Sequence, residues 1–122
     1  MNATPIDQLT PEMLDVIEAS SIWKPASVDQ EPECRLYDWR VMKVGGSYIH
    51  FVGYNGYEGR VCSAVQTYDP TTKRGITRSG RVYELVGQSG HNRDAQYVWA
   101  RWLELNGLTK EDIEDVSLEY ES

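Results

Sequence analysis

The sequence predicts an α+β domain: a four- or five-stranded antiparallel meander packed by a C-terminal amphipathic helix, with an N-terminal helix and a short last helix. Three observations carry this. Residues 35–86 alternate with a period of two and are cut by tight glycine turns. Residues 93–106 switch to helical spacing. Thr10-Pro11-Glu12 is a helix start, with threonine capping, proline in the first helical position and glutamate meeting the dipole.

The elements follow in order. Met13, Leu14 and Ile17 give the first helix its apolar face, and Pro25 prevents its continuation. Residues 24–33 form a connector. Arg35 to Val44 is the first strand, with Tyr37, Trp39 and Val41 on one face and Asp38 and Arg40 on the other. Gly45-Gly46 turns the chain. Ser47 to Tyr54 returns, with Ile49 and Phe51 opposite Tyr48, His50, Val52 and Tyr54. After the Asn55–Gly59 loop, Arg60 to Tyr68 reads as a third strand. Ser79-Gly80 is a two-residue hairpin turn between strands at about 74–78 and 81–86. Consecutive tight turns imply that neighbours pair in chain order.

Gly87-Gln88-Ser89-Gly90 ends the last strand of that run. Asn92 caps the next helix and Asp94 lies in its first turn. Ala95, Val98, Trp99, Trp102, Leu103 and Leu105 or Asn106 form its apolar stripe. Gly107 and Leu108 suit a Schellman ending. The tryptophans are read as core, and burial of each contributes roughly 1.5–3 kcal/mol or more. Thr109-Lys110-Glu111-Asp112 begins a short helix through about Val116.

At 122 residues the chain fits a single domain: N-terminal helix and connector (1–33), sheet (34–86) and helical part (87–122). There is no long apolar run to span a membrane and no secretory signal in MNATPIDQL. Cys34 and Cys62 have no CxxC spacing and are expected as free thiols, Cys62 buried and Cys34 open to solvent. No cofactor and no metal are expected.

The net charge is −7 and unevenly spread. Residues 1–33 hold seven acidic and one basic side chain, 34–91 four and eight, 92–122 eight and three. Such a balance opposes direct binding of nucleic acid through its phosphates. It suits acidic flanks that meet a basic protein partner, although solvated helices are acidic too. Asp15, Glu18, Glu111, Asp112, Glu114 and Asp115 are the partner-binding candidates, with Tyr54 and Tyr57 supplying contact area. The alternative is a small-ligand or anion site made by Arg78, Arg81 and the loop Gly87 to His91. That loop is not a P-loop, because no Gly-Lys-Ser/Thr follows, and Asp94 would repel an anion. For chemistry the chain offers only Cys62, a histidine (His50 or His91) and Asp38. No local signature joins them, so no catalytic residue is assigned and a non-enzyme is expected.

The run Thr77-Arg78-Ser79-Gly80-Arg81-Val82-Tyr83-Glu84-Leu85-Val86-Gly87, followed by Tyr97-Val98-Trp99 and Trp102, resembles small uncharacterised proteins of bacteriophages, prophages and other mobile elements. The resemblance brings no reaction with it. It implies a setting, the cytoplasm of a bacterial host, and a type of work. Small acidic phage proteins often act as host-takeover or anti-defence factors, anti-CRISPR proteins among them, by occupying a surface of a host machine.

Overall fold

The structure, a computed structural model, describes residues 31–121. Among them are strands β1 (Glu33–Val44), β2 (Tyr48–Tyr54), β3 (Gly59–Val61), β4 (Val65–Asp69), β5 (Arg74–Thr77) and β6 (Val82–Leu85), helix α1 (Arg93–Leu105) and strand β7 (Ile113–Asp115). Turns of 3-10 helix at Lys110–Asp112 and Ser117–Tyr120 flank β7.

The sheet runs β3-β2-β1-β6-β5-β4, with β7 also on β1. It is mixed. β1 pairs parallel with β6 through Glu33–Leu36 and antiparallel with β2 and β7 through its later residues. At 12 residues, β1 is long enough to serve two sub-sheets.

The division falls at Asp38. The β1–β2 register slips between Tyr37 and Arg40, and Asp38 takes φ 48, a left-handed conformation that aspartate accepts more readily than most residues. A bulge of this kind adds one residue and bends the strand. It also flips the alternation. Cys34 and Leu36 before it, and Trp39 and Val41 after it, all reach the same core although their parity differs. That core lies between the sub-sheets and takes in Phe51, Cys62, Tyr83, Leu85 and Val116. A second cluster joins Met42, Val44, Val52 and Val61 to the buried face of α1: Ala95, Val98, Trp99 and Trp102.

The helix ends are explicit. Asn92 accepts from the Ala95 N–H at 2.9 Å. At the other end the Leu108 N–H donates to the Leu103 carbonyl at 2.9 Å and the Gly107 N–H to that of Glu104 at 3.1 Å, a Schellman motif with Gly107 at φ 65. The helix start sits directly on β3. A Cβ on Gly59 would lie 2.3 Å from the Asp94 carbonyl oxygen.

Several expectations are corrected here. The antiparallel meander under one covering helix gives way to a seven-stranded mixed sheet, because β1 pairs with β6, far along the chain, rather than only with its sequence neighbour. α1 packs on β2 and β3 rather than across the whole sheet. The single strand 60–68 is two, since Cys62–Ala64 carry the chain from one sub-sheet to the other. The short last helix is a single 3-10 turn followed by β7, which pairs along Met42–Val44. Tyr37 is parted from Trp39 by the bulge and is 40% exposed. Cys34 is buried, against the expectation of an open thiol, and burial pushes its thiol up to about 11. The N-terminal helix, with Asp15 and Glu18, lies outside the described residues.

Candidate functional site

The bulge in β1 organises the surface around it. Gly87–Gly90 folds back on it: the Trp39 indole N–H donates to the Gly87 carbonyl at 3.1 Å, and the Gly90 N–H to the Trp39 carbonyl at 3.0 Å. A Cβ on Gly90 would lie 2.9 Å from the Asp38 carboxylate and 3.1 Å from its Cα, so glycine suits the close approach. Gly90 therefore serves packing, whereas Gly87, at φ 69, serves the turn of the backbone.

Docking this loop places His91 and the first turns of α1 beside β1 and β7. A cavity of about 340 Å³ opens there. Arg40, Asp115, His91 and Gln96 line it with polar groups. Met42, Val52 and Trp99 supply the apolar surface.

The polar wall is built from the residues upward. Arg40, two residues past the bulge, donates from Nε to Asp115 Oδ2 at 2.9 Å, and its Nη2 bonds the same oxygen. Asp115 Oδ1 accepts from the Ser117 N–H at 2.9 Å and from the Ser117 hydroxyl. Partial burial pushes the Asp115 carboxyl up, but the Ser117 bonds and Arg40 pull it further down, so it ends below the usual carboxylate range. Arg40 and Asp115 form a fixed ion pair of zero net charge.

The carboxylates singled out in the sequence divide into two sets. Asp115 is committed to Arg40 and Ser117. Asp112 closes a capping box with Thr109, accepting from its N–H at 2.8 Å. Glu111 and Glu114 are exposed and, among the described residues, form no ion pair. Glu119, which sequence reasoning did not single out, behaves the same way. Beside it Leu118 is 81% exposed. Glu121, by contrast, accepts from the Ser89 N–H at 2.9 Å and from its hydroxyl, and those bonds hold its carboxyl below the ordinary range.

Tyr54 and Tyr57 are not brought to this acidic run. Tyr54 pairs with Tyr37, whereas Val44, at the β7 end, pairs with Tyr48; six residues of β2 separate the two ends by about 20 Å. Tyr54 is half-buried and Tyr57 is 89% exposed.

The residues of the anion alternative are separated as well. Arg81 is buried and its Nε donates to the Glu31 carbonyl at 2.9 Å. Arg78 is half-buried on the same hairpin, with its backbone N–H on the Ala64 carbonyl. His91 belongs to the cavity with Arg40. Sequence reasoning missed Arg40 and Gln96. Arg40 was legible only as one of several charges in β1.

The nucleophile set is not assembled. His50 is buried against Trp102, ring centroids 4.8 Å apart, and its Nδ1 bonds the Cys62 carbonyl at 2.9 Å rather than the thiol. The Cys62 thiol instead accepts the Phe51 N–H at 3.1 Å, and Asp38 is exposed on the bulge. Among the described residues no group of His, Cys, Asp and Glu could hold a metal ion, and no helix is long and apolar enough to cross a membrane.

No family model, no curated protein and no solved structure matches the chain.

Proposed function

We propose that the chain is a non-enzymatic acidic binding protein, of phage or mobile-element origin, that covers a basic surface of a host nucleic-acid-handling complex and so inhibits or modulates it, as anti-CRISPR and other anti-defence proteins do. The observation that carries the reading is the run from Glu111 to Glu119. Along the chain it carries exposed Glu111, Glu114 and Glu119 and an apolar side chain, Leu118, that is 81% exposed. An exposed apolar side chain in an acidic stretch of chain suits a protein interface, where an apolar anchor is combined with charge. The neighbouring carboxylates Asp112 and Asp115 are tied into the fold, so the run is held in a defined shape. The net charge of −7 supports a partner that normally holds phosphate. The resemblance of residues 77–102 to mobile-element proteins supplies the setting.

The test is capture from a bacterial host lysate followed by competition. The immobilised protein should retain a basic nucleic-acid-binding partner, and duplex DNA or RNA should displace it. Leu118→Asp should lower retention about tenfold or more, as loss of a central anchor does. A partner retained equally by Leu118→Asp, or indifferent to nucleic acid, would overturn the reading.

A further inference from the structure

The outer face of β1, β6 and β5 carries a second cavity, of about 360 Å³, which shares no lining residue with the one at Arg40 and Asp115. We propose that it binds a neutral saccharide of about the size of a disaccharide. This goes beyond the protein-binding reading and does not depend on it.

The site follows from the strand pattern. Glu33, Arg35 and Tyr37 alternate along β1 and stay exposed, while Cys34 and Leu36 between them enter the core. The registers set Arg35 opposite Glu84 and Glu84 opposite Arg74, so β1, β6 and β5 contribute one row of charged side chains. Arg74 donates from Nη1 to Glu33 Oε1 and from Nη2 to Glu84 Oε1, both at 3.2 Å, and Arg35 Nε lies 3.9 Å from that same Glu84 oxygen. Exposed pairs of this kind are weak, so a ligand hydroxyl can share them at little cost. The bulge at Asp38 turns Trp39 inward and leaves Tyr37 on the outer face, 40% exposed and lining the cavity. Asn55 lines it too, with its Oδ1 held by the N–H groups of Tyr57 and Glu58 at 2.9 Å each. Ion pairs on an ordinary solvated sheet face need neither a cavity nor an exposed aromatic ring beside them.

The free groups select the ligand. Among the described residues Glu33 Oε2, Glu84 Oε2 and Asn55 Nδ2 make no hydrogen bond, so acceptors and a donor are both left over. Two guanidiniums and two carboxylates sum to zero charge. An anion would meet Glu33 and Glu84, and a cation would meet Arg35 and Arg74. A saccharide fits both conditions. Each of its hydroxyls donates and accepts at once. Neighbouring hydroxyls span the two oxygens of a carboxylate or the fork of a guanidinium, and the C–H face of the ring packs on an accessible tyrosine.

The experiment titrates the full chain with maltose, cellobiose and di-N-acetylchitobiose to millimolar concentration, read on the Tyr37 ring and the Arg35 and Arg74 Nε–H resonances. At least one of these sugars should give saturable shifts at those groups. Tyr37→Ala should remove the binding and Tyr37→Phe should keep it, because the ring supplies the contact. Glu84→Gln should weaken it about tenfold, the loss of a charge-assisted hydrogen bond, with an unchanged melting temperature. A tetrasaccharide of the same linkage distinguishes the source: affinity at or above that of the disaccharide assigns the site to a polysaccharide chain, and weaker binding assigns it to a free sugar. Saturable shifts with none of the three sugars, equal binding by Tyr37→Ala, or tighter binding of glucose phosphate or of free glutamine than of any disaccharide would each overturn the proposal.

Discussion

Single residues set the chemistry of the core. His50 is the clearest case. Its Nδ1–H donates to the Cys62 carbonyl, and among the described residues Nε2 is a buried acceptor with no partner, in a ring packed against Trp102. Protonation would place a charge in a buried, largely apolar surrounding against Trp102. Burial accordingly pushes the ring from its ordinary 6.5 down to about 4, against a small opposing pull from the Cys62 carbonyl. Between these values the unfolded chain binds a proton that the folded chain refuses, so stability falls as pH drops from about 6.5 to 4. The loss is on the order of 3 kcal/mol. Carboxylates such as Asp115 add their own acid sensitivity at lower pH, so the comparison must be differential. Denaturant unfolding at pH 7 and pH 4.5 should show a smaller drop for His50→Asn, whose amide can keep the bond to Cys62. An equal drop in both proteins would show that His50 is hydrated.

Elements are positioned by a few close approaches, and those are what the amino-acid pattern conceals. The turns near Gly45-Gly46 and Ser79-Gly80 were placed, but the expected two-residue loop at Ser79-Gly80 is three residues, 78–80, since Ile76 faces Val82. The cap at Asn92 and the ending at Gly107 were readable, because each depends on residues within five positions of one another. The bulge at Asp38 was not. Both faces of β1 carry apolar residues, so one inserted residue leaves an alternation that still looks regular. The parallel pairing of β1 with β6 was hidden for a related reason: no local signal encodes a partner some fifty residues away. β7 was mistaken for helix because Lys110-Glu111-Asp112 does begin a turn, which the open edge at Met42–Val44 then overrides. The site was legible in halves. His91 and Asp115 were chosen under rival hypotheses, and the bulge brings them to one cavity with Arg40. Gly59 tests this view of element placement. A methyl group there would lie within 2.5 Å of backbone atoms of Asp94 and Ala95. Gly59→Ala should therefore destabilise the fold by roughly 1–3 kcal/mol through overpacking, with the helix start displaced. A neutral midpoint in denaturant would mean that α1 does not rest on β3.

At the scale of the whole molecule the question is what the charge does. The sheet region is net positive by sequence, and the C-terminal run is negative. Within that run the fold has sorted the carboxylates: Asp112, Asp115 and Glu121 are held by hydrogen bonds, and Glu111, Glu114 and Glu119 face water. Exposed like charges destabilise nothing severely, and substituting them usually changes stability by less than about 0.5 kcal/mol. Their effect on encounter is larger. Opposite charges steer two proteins together, and salt screens that attraction over about 8–10 Å. Reversing the three glutamates to lysine should consequently slow association with a basic partner severalfold at low salt, leave dissociation nearly unchanged, and matter little at high salt. Reversing Arg78 and Arg81 should not reproduce this effect, and Arg81, being buried, should instead cost stability. Stopped-flow association at two ionic strengths, with the captured partner, separates these outcomes. If the triple reversal changes dissociation alone, the glutamates act as short-range contacts and the steering role is wrong. If it changes neither rate, the acidic run only solvates the C-terminal edge and the interface must lie elsewhere.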